Sequence, residues 1–366
     1  MEPSGMTTQD QIKTLAIHLP QFHPIPENDE WWGPGFTEWS NVRKAKELFP
    51  GHNQPRVPAD LGYYDLRDPQ AREAQATLAR SHGIDGFCYY HYWFNGRRLL
   101  DRPIREIIYS QQPDFPFCFF WANETWSRRW LGEERDILIE QTYSEEDNIV
   151  HARYLTTVFR EERYIRLNGR PLFLIYRPTH IPVLAHFISA LRECSRAAGT
   201  GDPFLLGCSS HAEGTDMRTL GLDGTLDFQP KLGFLPEAFE DKSTPERLAR
   251  NRALGVDSPD LRLYDAKDFR QRIEGFRDQL EYPVHPSVFV SWDNTPRRGE
   301  NGIVLLNNTP EDFSKSLESA KRYVNSPKFQ GEKVVFINAW NEWAEGNYLE
   351  PDKYYLKNYL NQPWGK

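Results

Sequence analysis

Short apolar runs alternate along this chain with longer stretches of helical spacing. The clearest run, Val334 to Asn338, is continuous and β-branched between Lys333 and a polar turn, the pattern of a strand buried on both faces of a parallel sheet. Similar runs predict strands over Lys13–Leu19, Ile84–Tyr92, Phe115–Trp121, Pro171–Tyr176, Phe204–Ser209, Thr225–Gln229 and Ser287–Trp292. Pro20 closes the first, because proline cannot continue a ladder. The sixth has little apolar content of its own. Between them, Asp68 as N-cap and Pro69 at the first helical position open a helix that runs to Gly83, with Ala71, Ala74 and Leu78 at helical spacing. Further helices are predicted over Leu99–Ser110, Glu145–Arg163, Val183–Ala198, Ala266–Leu280 and Pro310–Val324.

Eight strands alternating with helices, without a Gly-rich phosphate loop or a domain-sized linker, predict an α/β chain forming a single (β/α)8 barrel over 1–366 rather than a doubly wound open sheet. Residues 1–12 are expected to fray. Two long loop insertions follow strands one and six, over 24–65 and 230–286. The first is rich in Pro, Gly and Trp and lacks periodicity, which predicts a structured loop rather than helices. A loop of that length in a compact domain is expected to be functional, as a lid or wall.

Composition narrows the chemistry. Aromatic residues make up 14% of the chain against 39% hydrophobic overall, so aromatics are expected to supply much of the core and of the ligand site. The net charge is −8 and no basic run interleaves with aromatics, which argues against a nucleic-acid partner. Cys88, Cys118, Cys194 and Cys208 are widely spaced within predicted elements, without metal-ligand or redox spacing, so they read as reduced, buried thiols. No cofactor and no metal site is expected, since no histidine pair stands at helical spacing. The polar start and the absence of an apolar run of membrane length predict a cytoplasmic protein without a membrane span.

In a barrel of this type the active site lies at the carboxyl ends of the strands. His18, Gln21, His91, Trp93, Asn123, Glu124, Trp126, Tyr176, His211, Asp293 and Asn294 fall there, and Trp31, Trp32, Glu38 and Trp39 lie in the first insertion. Each alone has a plain packing explanation, but their recurrence at one end of the strands predicts a site. Beyond strand eight come Trp340, Asn341, Glu342, Trp343 and Glu345. One helical turn there places Glu342 and Glu345 on one face, with Cβ atoms about 5–6 Å apart. Such a pair can divide acid and base roles, while Trp faces cover sugar C–H faces and carboxylates bind hydroxyls. An oligosaccharide or polysaccharide is the expected partner.

The Glu342-Trp343-Ala344-Glu345-Gly346 run resembles the catalytic segment of glycoside hydrolase family 99, the endo-α-mannosidase family. Over nearly its whole length the chain also resembles the WbsX-like group associated with polysaccharide and O-antigen biosynthesis. That match is carried by the segments His18–Pro24, Trp31–Trp39, Gly86–Phe94, Trp121–Trp126 and Asn338–Trp343. The family 99 resemblance implies a retaining reaction at an α-glycosidic bond, in which Glu342 draws a proton from the sugar's 2-hydroxyl and Glu345 protonates the leaving oxygen. It also implies a desolvated Glu345 with a raised pKa. Hydrolysis, transfer to an acceptor hydroxyl by a glycosyltransferase or transglycosylase, and glycan binding without turnover all remain compatible with these residues.

Overall fold

The computed structural model describes residues 11–128, 133–210, 214–236, 244–256 and 258–362. Its eight core strands are β1 (Lys13–His18), β2 (Gly86–Phe94), β3 (Phe117–Trp121), β4 (Arg170–Ile175), β5 (Phe204–Cys208), β6 (Gly224–Asp227), β7 (Val284–Phe289) and β8 (Val334–Asn338). Each pairs in parallel with its neighbours in sequence, and β1 pairs with both β2 and β8. The sheet is therefore closed, with Leu15 opposite Gly86 on one side and Phe336 on the other. This is the expected (β/α)8 barrel, and the low-apolar sixth strand takes its place between β5 and β7.

Ten helices are used below: α1 (Pro26–Trp32), α2 (Glu38–Lys44), α3 (Pro69–Ser81), α4 (Arg102–Ser110), α5 (Glu145–Val158), α6 (Leu184–Ala197), α7 (Pro245–Ala253), α8 (Ala266–Gln279), α9 (Thr295–Arg298) and α10 (Pro310–Val324). Their starts are chemically marked. Asp68, Ser144 and Thr309 accept hydrogen bonds from the backbone N–H groups of Gln70, Asp147 and Asp312, each cap contributing about 1 kcal/mol. Gly86 opens β2 where a Cβ would lie 2.7 Å from both Ile165 and the Pro116 carbonyl, so the strand can approach its neighbours only there without a side chain. The barrel is packed largely by aromatics, among them Phe87, Phe117, Phe119, Phe120 and Phe173, all buried.

The structure corrects several expectations. The first insertion is not helix-free: α1 and α2 form within it, α2 closed by a reciprocal Thr37–Ser40 capping box. These helices have seven residues each, too short for a periodic signal. β7 begins at Val284, three residues before the expected start at Ser287, and ends at Phe289. The second insertion carries α7 and a short strand, Arg262–Asp265, that pairs in parallel with Ile303–Leu306 from the β7–α10 connection. Trp126–Arg128, expected in a loop, pairs antiparallel with Glu133–Ile139. The helix predicted to Arg163 stops at Val158. All four cysteines are unbridged, with Cys88, Cys118 and Cys208 buried. No helix among the described residues is long and apolar enough to cross a membrane.

Candidate active site

β8 delivers the chain to a 3-10 turn at Trp343–Glu345, which orients Glu342 and Glu345 toward one cation. That cation is Arg297 of α9, in the loop after β7. Its Nη2 donates to Glu342 Oε2 at 3.0 Å, its Nη1 to Glu345 Oε1 at 2.5 Å, and its Nε to Glu38 Oε1 of α2 at 2.9 Å. Three carboxylates from two parts of the chain thus meet on one buried guanidinium. Glu342 and Glu345 each give one oxygen to Arg297, and their other oxygens have no hydrogen-bond partner among the described residues.

Glu342 and Glu38 are buried, whereas the Glu345 side chain is 23% exposed. Burial, followed by the charge of Glu345, pushes the Glu342 carboxyl up to about 8 against the pull of Arg297. Burial raises Glu345 as well, with Arg297 opposing it. Desolvation at Glu345 was the expectation; that the more deeply placed Glu342 shares it was not. The surrounding ionisable groups are Glu124, which pairs with Arg177, and the phenols of Tyr90 and Tyr92 on β2.

The turn is anchored from below. Asp293 donates its backbone N–H to the Glu345 carbonyl at 2.7 Å, and Arg56 donates to the Gly346 carbonyl at 3.0 Å. Gly346 has φ +60°, and a Cβ there would lie 3.0 Å from Asp293 and Arg56, so both conformation and space require glycine. The Asp293 carboxylate is itself fully used. It accepts from His52 at 2.9 Å, from Gln54 at 2.7 Å, and from the backbone and hydroxyl of Thr295 at the start of α9. Burial alone would raise its pKa, but the His52 hydrogen bond and nearby Arg56 outweigh this and hold the carboxyl down to about 2.

The candidate residues divide by position. Glu38, Glu342 and Glu345 converge directly, with Asp293 beneath them and Trp39 packed at 5.4 Å against Trp343. Trp126 stands half-buried between Trp31 and Tyr92, and Tyr176 is half-buried against Phe120 and Phe228. Other candidates lie behind the barrel wall. His18 bonds Gln75 of α3, His91 bonds His151 of α5 at 3.0 Å, and Trp93 donates to Asp147 of α5. Burial drives both histidines down to about 3, so they are neutral packing groups.

Trp340 and Trp343 are 0% and 1% exposed, which corrects the expectation that they offer ring faces to a sugar. Trp343 instead stacks on Tyr348 and donates to Glu350 at 2.6 Å. Asn341 bridges both backbone groups of Leu19, fastening β8 to β1, and Asn123 holds the Arg177 backbone. Gln21 is buried, with its carbonyl accepting from the Glu38 N–H. Trp32 lines an open cavity of about 310 Å³ with Phe36, Arg43 and Lys44 and without any carboxylate. Asn294 precedes α9 with its side-chain oxygen accepting from the Ile303 N–H, and His211 lies outside the described residues.

Sequence reasoning missed Arg297. Its signal was the need of three clustered carboxylates for a counter-charge, since buried charges occur paired. It also missed Glu350, whose carboxyl burial pushes to about 7 while Tyr64, Gln75 and Trp343 donate to it.

The fold is shared with solved structures. Two structures of the GH99 endo-alpha-mannosidase from Bacteroides thetaiotaomicron align with TM-scores of 0.56 and 0.58 at 16% and 15% identity, covering 93% and 95% of this chain and 87% and 94% of theirs; the first is in complex with BIS-TRIS-propane. A glycoside hydrolase-like protein aligns at 0.57 with 12% identity, over 98% of this chain and 95% of its own. A family model described as Glycosyltransferase WbsX matches residues 14–362, and the chain belongs to that family. The uncharacterized protein WxcX of Xanthomonas campestris pv. campestris strain B100 is 40% identical over 341 residues, 92% of this chain and 47% of the relative, and WxcX of a second strain matches equally well over 342 residues. The chain thus spans about half the length of these curated relatives.

Proposed function

We propose that this chain acts on an α-glycosidic bond of an oligosaccharide or polysaccharide, with retention of configuration, through Glu342 and Glu345. The observation that carries the reading is the pairing of the two carboxyl groups on one guanidinium, each keeping one oxygen without a partner among the described residues. Glycosidic cleavage needs a proton at the leaving oxygen and a partner for the oxocarbenium-like transition state. Glu345, the more exposed of the two, gives its proton to the leaving oxygen as the anomeric bond breaks. Glu342 takes the proton of the sugar 2-hydroxyl while that oxygen closes onto the anomeric carbon, leaving a 1,2-anhydro sugar. In the second half Glu345 deprotonates the incoming hydroxyl, which attacks the anomeric carbon, and Glu342 returns its proton to the 2-oxygen.

This sequence runs in the form of the pair that holds one proton, on Glu345. The raised pKa of both groups, with Glu342 pushed to about 8, supports a pair that holds a proton near neutral pH; the proton passes from Glu342 to Glu345 to give the reactive form. The incoming hydroxyl is water in a hydrolase and a sugar hydroxyl in a transferase. The description of the matched family favours transfer, and the family 99 neighbours favour hydrolysis. Incubating the full chain with defined α-linked oligosaccharides, with and without acceptor sugars, and identifying products by mass tests the choice. Chain shortening in water supports hydrolysis, and elongated products that require acceptor support transfer. Glycan binding without product from any substrate would favour a binding barrel.

A further inference from the structure

We propose that Arg297, oriented by Glu38 of the first insertion, is the positioning residue of the carboxylate pair: it binds one oxygen of each and directs the transferable proton to the other. This role rests on the reading of Glu342 and Glu345 given above. A guanidinium carries donors only, and a carboxyl oxygen that accepts from it is disfavoured as the site of the proton relative to the other oxygen of the same group, because the O–H oxygen is the poorer acceptor. With Nη1 on Glu345 Oε1 and Nη2 on Glu342 Oε2, the proton is favoured on Glu345 Oε2 or Glu342 Oε1, the two oxygens without a hydrogen-bond partner among the described residues.

Arg297 in turn needs orientation, because its side chain has many rotamers. Glu38 supplies it through Nε, and α9 is fixed at its start by Thr295 on Asp293. The Glu38 Oε1 atom also accepts weakly from Asn41 at 3.5 Å. The insertion between β1 and α3 is thereby part of the machinery rather than only a wall. The charged and titratable groups around the pair are Arg297 on α9, Glu38 on α2, Glu124 beyond β3, and Tyr90 and Tyr92 on β2.

The test titrates the carboxyl carbons by NMR in the full chain labelled with ¹³C at the glutamate side-chain carboxyl, with the two signals assigned by their loss in Glu342→Gln and Glu345→Gln. Arg297→Gln removes the cation and should move the pair's titration to higher pH. Glu38→Gln removes a neighbouring negative charge and should move it to lower pH. Opposite displacements are not expected of a merely structural residue. Arg297→Lys keeps the charge but not the three-way fork, so it should titrate near the wild type. On an activated α-glycoside it should lose about 10²-fold in kcat, as expected for an angstrom-scale misplacement, with KM little changed. Unmoved titrations in both charge variants, displacements in the same direction, or wild-type kcat in Arg297→Lys would overturn the proposal. If Arg297→Gln does not fold, the Glu38→Gln and Arg297→Lys arms still decide it. The titration needs no turnover, so its failure is distinguishable from failure of the glycosidic reading, which shows as unchanged activity in Glu342→Gln.

Discussion

The two insertions of the barrel have similar length and opposite consequences. The one after β1 sends Glu38, His52, Gln54 and Arg56 under and around the Glu342–Glu345 turn, so its polar side chains end at the chemistry. The one after β6 instead builds two satellite cores, in which Leu261, Leu263, Val256 and Val304 pack together and Tyr264, Phe269 and Phe289 form a second cluster. Of the two, only the first was expected from its length to be functional. What separates them is where their buried polar groups are satisfied: at the carboxylate turn in the first, and away from it in the second, as where Asn251 donates to Leu261 and Ser258 and Arg270 donates to the carbonyls of Phe289 and Val290.

The contrast can be broken most severely at the carboxylates that the first insertion supports. Glu345→Gln should lose about 10²–10⁴-fold in turnover of a substrate with a poor leaving group and recover much of its first step on an activated glycoside. Glu342→Gln should lose as much and recover nothing, because its task lies at the 2-hydroxyl; equal recovery in the two variants, read by stopped-flow leaving-group release, would contradict the division of labour.

A second test removes the anchor beneath the turn. The Asp293 pKa of about 2, against an ordinary 3.8, means that ionised Asp293 stabilises the folded chain above its unfolded pKa, and that this is lost as pH falls through about 4 toward about 2. The difference corresponds to about 2–3 kcal/mol. Asp293→Asn should therefore be less stable than the wild type at neutral pH, with the gap closing below about pH 3. Urea melts at several pH values measure it, and a gap independent of pH would show that the carboxylate charge is not what the site uses.

In the second insertion, Leu263→Ala empties a fully buried position and should cost about 2–5 kcal/mol while leaving the carboxyl titration of the pair unmoved. A displaced titration would mean that the two insertions are coupled after all. The smallest effect is expected far from both: Asp68→Ala at the start of α3 should cost about 0.5–2 kcal/mol in thermal melts, with activity intact.

Much of this architecture was legible because β8, β1 and the capped helices α3 and α10 carry strong periodic and capping signals. The carboxylate pair was legible because spacing alone brings two glutamates three apart onto one side of a turn. The side of the wall was not. Strand ends give the height of a residue in the barrel, but alternation along the strand decides whether it faces the site or the helices. On β2, Tyr90 and Tyr92 lie near the carboxylates while His91 and Trp93 bond to α5, so a run of consecutive polar and aromatic residues concealed two opposite environments. Arg297 was hidden for another reason. Thr295-Pro296-Arg297-Arg298 reads as an ordinary helix start, and only the three carboxylates, from Glu38 to Glu345 in sequence, reveal what the arginine is for.

The most direct test of the central claim follows the anomeric proton by NMR while the full chain turns over the α-glycoside it handles fastest, beside the same glycoside with fluorine in place of the 2-hydroxyl. Participation of the 2-hydroxyl under Glu342 predicts a first-formed product of α configuration and no product from the 2-fluoro compound. A β product, or turnover of the 2-fluoro compound at a comparable rate, would contradict it.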